Sequence, residues 1–359
     1  MPSLLYKADF DEARDRLTRW WTGAGIGRPA MLLTAPRDTP LEDIPVMPEP
    51  AGWVTHYSTS NYAYRVNLAL RACVNTWYEA EAIPNVSPDL APNCLALYLG
   101  CRGIDQPGTV WCVPFIDDPE KARFELDSEN FYWTFTQRLA DEQLRLGRGK
   151  FLTSFPDLIE GLDTLAAMRD TQTLLVDLIE RPEWVTRALQ TITERYFTVY
   201  DQLYDRIKDE RGGSHFWSWA PGRMSKLQCD FSAMISPDMF REFMVPVLTE
   251  MTRRLDYSMY HWDGPGALCH LDSLLSVPRL SMIQWTPGAG ARDVTNPCWW
   301  PYYHRIIEGG KKVILFGFHG EDNLRAFKRE FGSKLNDFMI SMQADNPAHA
   351  QKLLAMAGE

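Results

Sequence analysis

The chain has 359 residues, 45% of them hydrophobic and 23% charged, with a formal net charge of -10. That length allows one large α/β domain or two ordinary ones. The acidic balance, with Arg253-Arg254 and Lys311-Lys312 no more than doublets, excludes the clustered cationic surface that a nucleic-acid partner requires. The first residues lack the basic start and apolar core of a signal peptide, and no run approaches the ~18 apolar residues needed to span a bilayer. A cytoplasmic protein without a membrane partner is therefore expected. The seven cysteines are scattered with no Cys-x-x-Cys pair, which suits free thiols in a reducing compartment.

In chain order, residues 11–21 read as a helix and Arg28-Pro29-Ala30-Met31-Leu32-Leu33 as a buried strand. Residues 35–60 are rich in Pro and acids and form an irregular lid or long connection. Residues 61–125 mix aromatics, Pro, Gly and Cys, and read as an insertion with short strands at 94–100 and 110–115. From 127 onward the alternation is regular. A helix over 128–147 has an acidic start and a basic end, as its macrodipole favours. A strand at 150–155 precedes helices over 162–168, 171–179 and 182–210, and a further strand covers 214–219. A helix opened by Ser236-Pro237 leads to strands at 256–261, 280–285, 312–317 and 337–342, each followed by a helix.

Counting 28–33 and 94–100, these are eight strands with intervening helices, the pattern of an α/β fold and specifically a (β/α)8 TIM barrel. Residues 1–125 supply the first helix, first strand and an N-terminal embellishment, and residues 126–359 the remainder of a single domain. A doubly wound sheet is the alternative, weakened by the absence of a Gly-rich phosphate turn after the first strand.

Barrel chemistry gathers where strands end. His261 and Asp263 lie two apart at a strand end, so their side chains share a face. Two readings stand for this pair: ligands of a metal such as zinc, or a proton donor beside its orienting carboxylate. For Asp263 a third is helix capping before Gly264-Pro265. His319 ends a later strand with no evident structural task, and would make His261, Asp263 and His319 a three-ligand open site. Asp230 precedes a helix already capped by Ser236, leaving its carboxylate free as acid, base or ligand anchor, or simply as a solvated loop acid. Cys229 reads as a buried small side chain or a thiolate ligand. Arg223 reads as an anchor for an anionic group or an ordinary surface arginine. Of thirteen tryptophans, Trp77, Trp111, Trp217, Trp219, Trp262 and Trp285 sit at strand ends or loops. With Tyr260 they suit an apolar ligand pocket, although aromatic core positions explain such residues too. His270, His304 and His349 fall within helices and read as structural.

The run Met234-Ile235-Ser236-Pro237-Asp238-Met239-Phe240, with Pro246 and His261, resembles the uroporphyrinogen decarboxylase superfamily, which includes corrinoid-dependent methyltransferases. Gly27-Arg28-Pro29 before the first strand is similar as well. So is the C-terminal run from Phe338-Met339-Ile340-Ser341 through Asp345-Asn346-Pro347 into a last helix. The resemblance implies a (β/α)8 barrel with its site at the C-terminal mouth. Two departures stand out. Leu33-Thr34-Ala35-Pro36-Arg37 occupies the place of the decarboxylases' Arg-Gln-Ala-Gly-Arg motif, which argues against an eight-carboxylate porphyrinogen. Asp263 and, near the last strand's end, Gln343 or Ala344 stand where the zinc methyltransferases carry cysteines.

Three functions remain open at this point. The first is a methyltransferase or demethylase, moving a methyl group between a small substrate and a corrinoid held by a partner protein, with zinc at His261, Asp263 and His319. The second is a cofactor-free decarboxylase or lyase, in which Asp230 or Asp263 stabilises a cation and His261 delivers a proton. The third is a non-catalytic binding barrel. A homodimer is left open as the assembly.

Overall fold

The computed structural model describes residues 4–358. Its strands are β1 (Ala30–Pro36), β2 (Thr76–Ala80), β3 (Asn85–Val86), β4 (Arg102–Gln106), β5 (Thr109–Val113), β6 (Leu152–Thr153) and β7 (Ser214–Phe216). They continue as β8 (Ser218–Ala220), β9 (Met224–Gln228), β10 (Tyr257–Asp263), β11 (Met282–Thr286), β12 (Lys312–Leu315) and β13 (Phe338–Gln343). Seven of them form one sheet in the order β2-β1-β13-β12-β11-β10-β9, parallel except where β2 runs against β1. β3 and β6 make a short parallel pair, whereas β4–β5 and β7–β8 are antiparallel hairpins. The α/β alternation stands. The continuous ladder is nonetheless an open sheet of seven strands and does not close into the eight-stranded barrel expected.

The differences have local causes. Segment 94–100 is a short helix, Cys94–Tyr98, with all five residues buried. A brief apolar run carries no period that separates a buried strand from a buried helix. The insertion also contains a full helix, Tyr62–Val74, whose N-cap Asn61 accepts from the Tyr64 amide. Segment 214–219 is broken at Trp217, which has φ 56 and so turns the chain between β7 and β8. β9 was not anticipated because Lys226 and Gln228 interrupt its apolar pattern. The helix opened by Ser236 carries a π turn at Phe240–Met244 just before Pro246, whose missing N–H removes one helical donor.

Two apolar layers follow from the strand alternation. One face of the sheet carries Met224, Met259, Met282, Ile314 and Met339, clustered with Leu17, Trp20 and Trp21 of the helix Phe10–Trp21. The Trp21 indole donates to the Trp219 carbonyl at 2.9 Å. The other face packs Tyr260, Trp262, Ile283, Trp285 and Ile340 against the surrounding helices in the largest core cluster. No helix among the described residues is long and apolar enough to cross a membrane.

A buried acid ties the start of this arrangement together. The Glu81 side chain, wholly buried, accepts from Arg28 at 2.7 and 2.9 Å, from Arg16 at 2.6 Å and from the Met31 amide at 2.8 Å. It thus joins the first helix, β1 and the end of β2. Burial alone raises its carboxyl pKa, but Arg28, the Met31 N–H and Arg16 together hold it below the ordinary glutamate range. Removing one partner of such a pair leaves buried charge uncompensated. We expect Glu81→Gln to cost roughly 3–5 kcal/mol in denaturant unfolding at neutral pH. Because the folded pKa is depressed, this contribution is complete above the unfolded value of about 4.3 and fades as pH falls through the folded one. The stability gap between wild type and variant is therefore expected to narrow below about pH 4, and a constant gap would contradict it.

Candidate metal centre

β10 delivers His261 and Asp263 from its C-terminal end on the face opposite Tyr260 and Trp262. Asp230 opens the turn Asp230–Met234 just beyond the neighbouring β9. One donor atom from each of Asp230, His261 and Asp263 lies within 4.8 Å of the others. Gly264, at φ 76, lets the chain leave β10 sharply, and its amide is held by the Thr286 carbonyl at 2.9 Å. An adjoining cleft of about 570 Å³ is lined by Asp230, Asp263, Gly264 and Gly288.

The histidine's protonation pattern follows from its neighbours. Gln284, opposite it on β11, donates its amide nitrogen to the Trp285 carbonyl at 3.0 Å and to the Thr286 hydroxyl at 2.7 Å. A carbonyl can only accept, so the Gln284 oxygen is the atom that meets His261 Nδ1. His261 therefore donates from Nδ1 and keeps a lone pair on Nε2. Burial, followed by the charge of Lys226, lowers its pKa, which favours the neutral ring at pH 7.

Asp230 is held equally firmly. Its amide and that of Phe231 donate to the Asp163 carboxylate, each at 2.8 Å. The Gln228 amide nitrogen bridges Asp230 at 3.0 Å and Asp163 at 3.2 Å, while its oxygen accepts from Lys226. Lys226, itself buried, meets Asp157 at 2.6 Å. The Gln228 backbone amide donates to buried Glu160 at 2.9 Å. Asp230 is exposed toward the mouth, yet the protein packed about its carboxyl group strips part of its hydration. That desolvation, then Asp163, and further off Asp263, push it up to about 7. On the Asp263 carboxylate, Oδ1 is buried without a hydrogen-bond partner.

The aromatic candidates divide. Trp217, 39% exposed and edge-on to His261 with centroids 5.8 Å apart, stands in the mouth beside Phe316 at 5.2 Å. Tyr260, Trp262 and Trp285 do not line it: all three are buried on the opposite strand face, where Trp262 donates to the Ala267 carbonyl. Trp111 is exposed on the β4–β5 hairpin. Arg223 precedes β9 at the end remote from the site, paired with Asp201 and stacked over Tyr200 and Tyr204. His319 lies outside the three-residue cluster. β12 ends at Leu315, and the mouth-facing position on that arm goes to Phe316, leaving His319 exposed against the Gly317 carbonyl. Cys229 is buried in the main core, which raises its thiol pKa. His270 binds the Ser232 carbonyl, His304 pairs with Glu330 and His349 with Asp345, all in structural roles.

Sequence reasoning missed Lys226, Gln228, Gln284, Asp157, Glu160 and Asp163. One signal was present: Lys226 and Gln228 are polar at alternate positions of a short strand, the spacing of a polar inward face.

No protein-family model and no curated protein sequence matches the chain. A solved structure, a methyltransferase from Methanosarcina mazei, is similar over 96% of this chain and 98% of its own, with a TM-score of 0.60 at 12% identity. The likeness is one of fold.

The raised carboxyl of Asp230 has a measurable consequence. An unfolded aspartate titrates near 3.9, so the folded state binds the extra proton and loses stability as pH rises from about 4 to about 7. In chelator-treated protein, Asp230→Asn is expected to have the higher Tm at pH 8. The two Tm values should converge toward pH 4; a variant less stable than wild type at pH 8 would contradict the shift.

Proposed function

We propose that this protein is a methyltransferase or demethylase whose site is built on a divalent cation, zinc in the first instance, held by Asp230, His261 and Asp263. The observation that carries the reading is the convergence of these three donor atoms within 4.8 Å at the ends of two adjacent strands. The residues fit a cation in two respects. Asp263 Oδ1 is a buried acceptor with no partner, and Asp230 sits among carboxylates that a positive charge would relieve. Asp230 thus replaces His319 in the set expected from the sequence. The fold likeness to a methyltransferase supports the reading.

When bound, the cation supplies Lewis-acid polarisation of the oxygen or nitrogen that loses or gains the methyl group. The chain's own side chains do the rest. Gln284 fixes the His261 tautomer that leaves Nε2 free, and Gln228 with Asp163 holds Asp230 in place. Trp217 and Phe316 wall the mouth against water and offer ring faces to an apolar methyl carrier. Two oxygen donors and one nitrogen make a harder site than a thiolate set, favouring an oxygen or nitrogen substrate over a thiol. The methyl group passes between this small substrate and a corrinoid on a partner protein, and the protein works as a cytoplasmic homodimer.

The fold proposal follows the same line: an interrupted (β/α)8 ring in one domain, the arc between β1 and β9 being closed by short contacts. Its support is the Glu81 amide on the Met31 carbonyl at 3.0 Å, the β3–β6 pair, and the Phe155 amide on the His215 carbonyl at 3.0 Å.

One observation favours a decarboxylase as a second reading. Asp230, pushed up to about 7, is a proton donor poised near neutral pH, a role the neutral His261 does not fill.

Metal analysis separates the two. Protein purified without added metal is expected to carry stoichiometric zinc, lost in His261→Ala, Asp263→Ala and Asp230→Ala but retained in His319→Ala. Gln284→Leu, which frees the imidazole to rotate, should weaken zinc by ~10–100-fold in competition with a chelator. Metal-free wild type that turns over a carboxylated substrate would overturn the methyl-transfer reading.

A further inference from the structure

A second cavity, of about 330 Å³, lies between the helix Tyr62–Val74, the helix Phe131–Gly147 and the chain leaving β3. Its walls are apolar at Leu68, Ala69, Ala72 and Leu139, and polar at His56, Tyr57, Arg65, Ser87, Asp89 and Gln143. Arg65 and Gln143 are more than nine-tenths buried, at 7% and 4% exposure. Gln143 is not fully satisfied by the protein.

Arg65 donates only to backbone carbonyls, those of Tyr57 at 3.2 Å and of Asp89, and forms no ion pair among the described residues. The acid beside it, Asp89, directs Oδ1 to the Asp157 amide at 3.0 Å and the Cys94 thiol at 3.3 Å instead. Burial lowers the Arg65 pKa, and the charge of nearby Asp89 offsets only part of that loss. Gln143 donates its amide nitrogen to the Ser87 carbonyl at 3.0 Å, while its oxygen is buried with no partner. A buried guanidinium with no direct ion pair and an idle acceptor beside an apolar wall are costly unless something completes them.

The geometry points to a binding site for a small hydroxy-carboxylate. Its carboxylate meets Arg65, its hydroxyl donates to Gln143 Oε1, and its short hydrocarbon chain lies on Leu68, Ala69, Ala72 and Leu139. The forked guanidinium suits a carboxylate, and the cavity falls within the range of small-molecule pockets. The site is independent of the Asp230, His261 and Asp263 cluster and of the reaction assigned to it. One link runs through Asp89 to the backbone of Asp157, whose carboxylate meets Lys226.

Calorimetric titration of the full chain with 2-hydroxyhexanoate and with its neutral isostere 1,2-hexanediol tests this. The acid is expected to bind with a Kd below about 1 mM and the diol at least ~10-fold more weakly. Arg65→Gln should erase that preference. Because this substitution removes a buried charge and can disturb folding, Ala69→Leu provides a second arm. It fills the cavity while leaving the Arg65 charge in place, and should weaken the acid at least ~10-fold while circular dichroism stays unchanged. Equal binding of acid and diol to wild type, undiminished binding to folded Ala69→Leu, or no binding of the acid at about 10 mM would each overturn the proposal.

Discussion

The mouth of this protein depends on the two-residue alternation of its parallel strands. On β10, Met259, His261 and Asp263 point to one side, while Tyr260 and Trp262 point to the other. The same alternation on the neighbouring strands lays Met224, Met282, Ile314 and Met339 beside Met259 as a dry floor, sealed from below by Trp20 and Trp21. Polar groups one layer higher are held over packed hydrocarbon rather than water, so their interactions with each other decide their positions. A shift of one residue in β10 would send His261 into the aromatic core and Trp262 into the mouth.

Above that floor, charge is unevenly distributed. Asp157, Glu160, Asp163, Asp230 and Asp263 gather around Lys226, whose charge opposes the rise of the Glu160, Asp163 and Asp230 carboxyls. The protein responds in two ways. Glu160, fully buried with one oxygen unpartnered, has its pKa raised well above the usual range, which favours the neutral acid. Asp163 donates nothing and accepts two backbone amides, which turns a buried carboxylate into the clamp for the Asp230 turn. What remains is an excess of oxygen donors aimed at one point. A divalent cation would resolve that imbalance more completely than protonation can, because it satisfies Asp263 Oδ1 and Asp230 together.

One strained residue stands at the same place. Trp217 adopts a left-handed backbone conformation that a bulky residue rarely takes, and in doing so splits one strand into β7 and β8. The gain is position: its ring is set between His261 and Phe316, which a continuous strand would not allow. Glu81 performs the complementary task far from the mouth, locking the first helix to β1 and β2 so that the sheet has a rigid margin.

By itself the sequence determined most of the element order, the pairing of His261 with Asp263, and the candidacy of Asp230, since periodicity and strand-end position are local properties. It could not separate Cys94–Tyr98 from a strand, because five apolar residues bury equally well in either form. It also could not say which rings reach the mouth: Trp217, Trp262 and Trp285 look alike in one dimension, and only the facing of each strand sends the last two inward to the core. That Asp230, and not His319, converges with His261 and Asp263 was likewise a tertiary decision. It turned on where β12 ends and on Asp163, a residue 67 positions from Asp230 that holds its amide in place. Ligand sets depend on distances between chain-remote atoms, and those distances exist only once the strands have packed.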